Sequence, residues 1–467
     1  MKMRQPGPIV LISTYELGHQ PLNLASPLAF LERAGFAAQA VDTSVQPLSM
    51  PAIEEAWFIG ISVPMHTATR LALQLIEQIQ AINPQVHLCC YGLYAPLNAG
   101  YLLEYGVDFV IGGEYEQPLL NLVAALSQGE AAPPEGITTR QNPARPYLAK
   151  LPFAVPERKT LPPLKHYAHL EGNGRQALAG YVEASRGCLH TCRHCPITPV
   201  YQGRFFVKPR EVVLADIRAQ VAMGAAHITF GDPDFLNGPG HSLKILRAMH
   251  GEFPHLTFDI TTKIEHILEF RRHFPELSDL GCAFVVSAVE SFSDRVLAQL
   301  DKGHSRADIY TALDILAQAG IPMRPSLLPF TPWTTVDDYL DMLEQVERLG
   351  LVDHIDPVQY SIRLLVPPGS ALIEQPGAET WLGSLNAGGL TYTWQHPDPR
   401  MDALQRQVSQ CVASAAQAGA DTRTTFYRIQ SLAYAMALGR PASSPTPASL
   451  SPAPPGSSPK LTEAWFC

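Results

Sequence analysis

EASRGCLHTCRHCPITPVYQGRFF, residues 183–206, is the stretch on which the reading of this chain turns. Cys188, Cys192 and Cys195 stand at C-x3-C-x2-C spacing, three of the eight cysteines of a 467-residue chain crowded into eight positions. Eight cysteines are too few to staple a chain of this size by disulfides, and such crowding points to a metal. Three thiolates on one loop can converge on an iron–sulfur cubane and leave one iron without a protein ligand. The spacing alone leaves zinc open as well, because His190 and His194 lie among the cysteines and either completes a Cys3His tetrahedron.

Working outward, strand-like runs recur from residue 180 at about 30-residue intervals: 180–186, 227–231, 256–262, 283–289, 321–328 and 357–366. Helical stretches fill most gaps, with Leu214, Ile217 and Val221 on one face of the first and Leu313 and Ala317 on a later one. This is a partial (βα)6 parallel barrel over 179–368, and in such barrels chemistry sits at the C-terminal strand ends. The triad directly follows the first strand, which favours the cluster over zinc. Upstream, β-branched runs at 9–12, 36–41, 57–63, 86–91 and 109–111 alternate with helical stretches, predicting a doubly wound α/β Rossmann-like domain over 1–130. A Pro-rich linker covers 131–178. A helical region covers 369–440, with helices at 401–418 and 424–437. The last stretch, 441–467, begins PASSPTPASLSPAPPGSSPK, which lacks the apolar surface to fold, and it tethers the closing LTEAWFC.

The triad, its barrel context and the preceding Rossmann-like domain resemble the radical S-adenosylmethionine (SAM) superfamily, in the branch with an N-terminal cobalamin-binding-like domain. The likeness covers about residues 5–370. It implies that Cys188, Cys192 and Cys195 ligate a [4Fe–4S] cluster, that SAM occupies the open iron, and that His194, where many relatives carry an aromatic, lies near the adenine. Gly231, Asp232, Pro233 and Asp234 fall where the superfamily contacts the SAM amino group; an ammonium needs acceptors and close backbone approach, and Asp234 is the better candidate. As a plain sequence, GDPD is also a common turn. Asp259, Thr261 and Lys263 end the third strand. Ser287, Glu290 and Ser291 end the fourth, where the family binds ribose and methionine, and Glu290 suits a hydroxyl. Lys302 and His304 match a recurrent family segment that also reads as an exposed loop. Arg324 on the fifth strand suits the SAM carboxylate or substrate, or a structural ion pair. Gln359, Tyr360 and Arg363 are substrate-pocket candidates.

The N-terminal landmarks ISTYELG, ISVPMHT, CCYGLYAPL and VIGGEYEQPLL match those of cobalamin-binding relatives, but the D-x-H-x-x-G signature is absent and His19 sits in no such motif. Cobalamin, if bound, lacks a lower histidine ligand, and a fold retained without its cofactor is the competing reading. Cys89 and Cys90 read as core. The ending LTEAWFC resembles a radical SAM group whose tails continue with a second cysteine or a selenocysteine and then Ala-Glu-Pro, which implies a chain stopped at a selenocysteine codon. Cys467 is then a redox or soft-atom residue.

A formal net charge of −9 without basic blocks argues against a general nucleic-acid or anionic-membrane partner. The apolar run at 9–12 is too short for a signal core or a span, so a cytoplasmic protein is expected. The leading reading is radical chemistry on a small-molecule or peptide substrate, fed by a donor such as flavodoxin or ferredoxin. Cobalamin-dependent methyl transfer, aminocarboxypropyl transfer to a soft element such as arsenic, and a non-catalytic Fe–S or zinc sensor are the alternatives. Methylthiotransfer to tRNA is disfavoured, since no second cysteine triad or terminal basic module is present.

Overall fold

Strands buried on both faces are mostly apolar, and two interior strands of the N-terminal sheet, IVLIS and FIGIS, are buried at every position. The computed structural model describes residues 8–130, 133–172, 175–439 and 458–462. Its first sheet holds β1 (Ile9–Ser13), β2 (Ala38–Asp42), β3 (Phe58–Ser62), β4 (His87–Tyr91), β5 (Phe109–Ile111) and β6 (Ile137–Thr138), in the order β2-β1-β3-β4-β5-β6. All neighbours are parallel except β5 and β6. Side chains alternate between faces. Val10 and Ile12 therefore enter one core with Ile76 and Ile79, while Ile9 and Leu11 enter the other with Leu28 and Leu119. The expected doubly wound domain is present, and β6 extends its sheet into the segment read as linker.

The second sheet is a curled half-barrel. It contains β7 (His169–Gly172), β8 (Arg175–Val182), β11 (His227–Phe230), β12 (Thr257–Thr261), β13 (Cys282–Glu290), β14 (Met323–Leu327) and β17 (Lys460–Leu461), ordered β14-β13-β12-β11-β8-β7-β17. Strands β8, β11, β12, β13 and β14 run parallel. Short strands β9 (Ser185–Gly187) and β10 (Phe205–Val207) pair antiparallel beside the mouth.

The sixth barrel strand expected over 357–366 does not form. Pro357 opens a 3-10 turn, Pro357–Ser361, and one bridge, Phe330↔Arg363, marks where the strand would lie. The free edge of β14 is met by a side chain instead: Leu327 N–H donates to Gln359 Oε1 at 3.0 Å.

The C-terminal region contains the expected helices, Pro399–Gln417 and Thr422–Leu438, whose Leu404, Val408, Phe426 and Ile429 join the barrel core. It also contains a hairpin the sequence reading lacked, β15 (Leu382–Asn386) and β16 (Thr391–Trp394). Leu390 at its tip packs into the N-terminal domain, and Gly389 O lies 2.9 Å from His66 Nε2.

The tail is not a free tether throughout. Lys460 and Leu461 pair antiparallel with Glu171 and Leu170 of β7, and Thr462 N–H donates to His169 O at 2.9 Å. Most of the Pro/Ser-rich stretch, and Cys467, lie outside the described residues. No helix among the described residues is long and apolar enough to cross a membrane.

Candidate active site

The triad loop is a hairpin closed at its base. Strands β9 and β10 zip its ends together, and Cys188 N–H donates to Arg204 O at 3.1 Å. Gly187 makes this closure sterically possible: at φ +81° a Cβ would sit 2.5 Å from Arg204 O. Inside the loop, Cys195 N–H and Thr198 Oγ1 both donate to Cys192 O, at 3.2 and 2.9 Å. Arg193 N–H donates to Leu300 O at 3.1 Å and ties the loop to the connection after β13.

The three cysteines are free thiols, Cys188 and Cys192 buried and Cys195 half-buried. Burial pushes the Cys188 thiol up and the Cys195 thiol up to about 11. Thiolates in such a place require a cation against the sulfurs, as iron provides. The donor set fits a cluster.

Two polar groups flank the triad. In the first, Glu290 ends β13 beyond a register shift, with φ +61°. The bulge turns its carboxylate towards the loop. Glu290 Oε1 lies 3.3 Å from His194 Nε2 and accepts from Lys302 Nζ at 3.1 Å. Burial opposes the charge, but Lys302 and His194 hold the Glu290 carboxyl well below the usual range. Lys302 is itself raised, against the cost of burial, by Glu290 and by Cys192 and Cys195. His304 Nε2 lies 3.4 Å from Val289 O, and burial pulls that imidazole down to about 4.

In the second group, Asp234 is fully buried, with His266 Nδ1 at 2.8 Å and His190 Nε2 at 3.5 Å from its Oδ2. Burial works against its charge, yet the two imidazoles and Thr262 hold the carboxyl down at about 2. His266, Glu265 and Thr262 were not singled out in the sequence. Their place just after β12, on the face where barrels do chemistry, was the available signal.

The other candidates also make contacts within the scaffold. Asp232 accepts from Ala184 N–H at 2.9 Å and from Ser185 N–H and Oγ at 2.5 Å, clamping the turn between β8 and β9. Ser287 Oγ donates to Thr262 O, and Asp259 holds His227 and Thr229 within the sheet. Gly231 leaves room for Tyr181, whose hydroxyl oxygen would lie 1.9 Å from a Cβ there. Lys263 pairs with Glu265. Arg363 donates to Asp402 at 2.6 Å and covers the Trp394 ring at 3.5 Å, bracing the C-terminal helices. Arg324 donates to Asp356 through Nη2 at 3.0 Å, while its buried Nη1 has no hydrogen-bond partner. The Tyr360 hydroxyl likewise has none.

The N-terminal domain meets the loop through charge. Arg186, two residues before Cys188, donates to both oxygens of Glu116 at 2.9 Å and approaches Glu183 at 3.2 Å. Glu114 accepts from Tyr201 Oη at 3.0 Å on the same loop. At the C-terminal strand edge of this domain, the buried Ser13 and Ser62 are register partners whose hydroxyls have no hydrogen-bond partner, as does Glu16 Oε1. His19 stacks on Tyr181 with ring centroids 4.6 Å apart.

Known proteins place this geometry. The radical SAM superfamily model matches residues 182–350. A tRNA-2-methylthio-N(6)-dimethylallyladenosine synthase of Desulfosudis oleivorans is 27% identical over 208 residues, covering 42% of this chain and 44% of that protein. That of Chlorobium limicola is 24% identical over 270 residues, covering 55% and 54%. The chain spans about half the length of these curated relatives. Among solved structures, the cobalamin-dependent SAM radical enzyme OxsB, with aqua-cobalamin and SAM bound, aligns with TM-score 0.70 at 15% identity, over 92% of this chain and 73% of that one. The radical SAM methyltransferase TsrM of Kitasatospora setae, with cobalamin and a [4Fe–4S] cluster bound, aligns with TM-score 0.62 at 17% identity, over 74% of each. The fold is that of cobalamin-dependent radical SAM enzymes, and residues 182–350 of this chain are a radical SAM domain, which implies an enzyme, a [4Fe–4S] cluster and SAM.

Proposed function

We propose that Cys188, Cys192 and Cys195 hold the cluster and that the chain cleaves SAM reductively at the barrel mouth to start radical chemistry on a small-molecule or peptide substrate. The carrying observation is the thiol loop at the C-terminal end of β8, braced by β9 and β10 and faced by the Lys302–Glu290–His194 group. A cluster at that loop supplies the single low-potential electron that breaks a carbon–sulfur bond of a sulfonium.

The chain's own residues bind and orient. Glu290 Oε1 is taken by Lys302 and His194, which leaves Oε2 to accept from a ribose hydroxyl. His194 sits beside the adenine, and Arg324 Nη1 offers a donor for a carboxylate. The carboxylates of Asp232 and Asp234 are engaged within the protein, so backbone carbonyls of 231–234 are the acceptors for the SAM ammonium. A small ferredoxin- or flavodoxin-type protein is the electron donor.

A second reading, cobalamin-dependent methyl transfer, is favoured by the buried hydroxyls of Ser13 and Ser62 and by Glu16 Oε1, which have no hydrogen-bond partner at the C-terminal strand ends of the N-terminal domain, in a fold shared with OxsB and TsrM, both solved with cobalamin bound. Anaerobic reduced enzyme incubated with SAM separates the readings. Deoxyadenosine marks radical initiation, S-adenosylhomocysteine with co-purifying corrin marks methyl transfer, and methylthioadenosine marks aminocarboxypropyl transfer. Failure to consume SAM with a reconstituted cluster sinks all three.

A further inference from the structure

Two imidazoles and a carboxylate outside the cysteine triad converge beside it. His190 comes from the triad loop, Asp234 from the turn after β11, and His266 from the helix Ile264–Glu269 after β12, so three separate connections each supply one donor. Around Asp234 Oδ2, His266 Nδ1 lies at 2.8 Å and His190 Nε2 at 3.5 Å. Metal–ligand bonds of about 2.0–2.1 Å set donor atoms roughly 2.9 Å apart at octahedral angles and roughly 3.4 Å apart at tetrahedral ones. Both separations to the carboxylate match, and the three donor atoms all lie within 4.8 Å of one another.

Asp234 Oδ2 and His266 Nδ1 are buried and paired with each other, and the Asp234 side chain is 0% exposed. Its other oxygen is fixed by Thr262 Oγ1 at 2.8 Å and Leu236 N–H at 3.2 Å, which aims Oδ2 at the imidazoles. Beyond His190, Nδ1 faces Glu265 Oε2 at 3.6 Å. Ligating histidines commonly turn their second nitrogen to a carboxylate in this way.

We propose that His190 Nε2, His266 Nδ1 and Asp234 Oδ2 bind one divalent transition-metal ion of the zinc or ferrous class, distinct from the iron held by the cysteines. Two imidazoles and one carboxylate suit such ions, whereas magnesium and calcium take oxygen ligands. Three protein ligands leave positions for water or substrate. Binding replaces the 3.3 Å contact between His190 Nε2 and His266 Nε2. The rival explanation is a metal-free chain of hydrogen bonds from Asp234 through His266 to His190.

The test uses the full chain with its cluster reconstituted, equilibrated with zinc(II), desalted and analysed for iron and zinc. The expected result is one zinc per chain beyond the cluster iron. Affinity falls at least tenfold in Asp234→Asn and His266→Gln, with iron retained, and about 10- to 100-fold in Glu265→Gln, which keeps all three ligands. No stoichiometric zinc in the cluster-loaded wild type, or undiminished binding in both ligand variants, overturns the proposal. Where a ligand variant loses iron as well, the chain with Cys188, Cys192 and Cys195 all changed to Ser decides. One cobalt(II) bound without sulfur-to-metal charge transfer upholds the site, and no cobalt bound overturns it. Metal content is read whether or not SAM is cleaved.

Discussion

At the scale of single residues, Lys302 carries the clearest electrostatic consequence. Its ammonium is buried and paired with Glu290, and Glu290, Cys192 and Cys195 all favour its charged form. A positive charge in a low-dielectric site stabilises the more negative, reduced state of whatever the sulfurs hold. Lys302→Met is therefore expected to keep the iron content and to move the cluster midpoint to more negative potential. Redox titration followed by electron paramagnetic resonance reads the shift, and an unchanged or more positive midpoint would remove Lys302 from this role. The cysteines were legible in sequence because their contacts are local. His266 was not, because it meets His190 across 76 positions and only the folding of β12 against β11 brings them together.

At the scale of elements, periodicity located strands and helices but not the devices that terminate them. The expected sixth strand read as apolar and extended, yet Pro357 lacks the N–H a ladder needs, and Gln359 spends its side chain on β14. The hairpin at 382–394 escaped because its strand β15 is largely exposed and carries little alternation. The pairing of β17 depends on a partner almost 300 residues away and was unreadable. Thr462 donates its N–H to His169 O, and its Oγ1 accepts from His169 N–H at 3.0 Å. Thr462→Pro removes both bonds, so amide exchange at 169–171 is expected to accelerate. Unchanged protection there would mean that the tail contributes nothing to the edge of the sheet.

At the scale of the whole molecule, the two α/β units are joined by buried charge and by the C-terminal hairpin. Arg186 bridges the triad loop to Glu116, and Arg158 is paired bidentately with Asp216. Glu16, buried at the end of β1, is the group whose titration the stability of the whole should report, since burial raises its pKa from 4.5 to about 8. Between those values the folded chain binds a proton the unfolded chain has released, so stability falls as pH rises through the window. Glu16→Gln removes that dependence. Thermal melts should show the variant gaining on the wild type at about pH 8.5 and gaining little at about pH 5. Equal gains at both would contradict the burial argument. The doubly wound domain, the half-barrel and the thiol loop were all visible in sequence because each rests on local pattern; the joints between them rest on single long-range pairs.

The central claim is that the Cys188–Cys192–Cys195 loop supports reductive cleavage of SAM. It is tested most directly by incubating anaerobically reconstituted, reduced protein with SAM beside the variant in which all three cysteines are Ala. The account predicts that the wild type consumes SAM and releases deoxyadenosine, and that the variant does neither. SAM left intact by the cluster-loaded wild type, or cleaved equally by the variant, would contradict it.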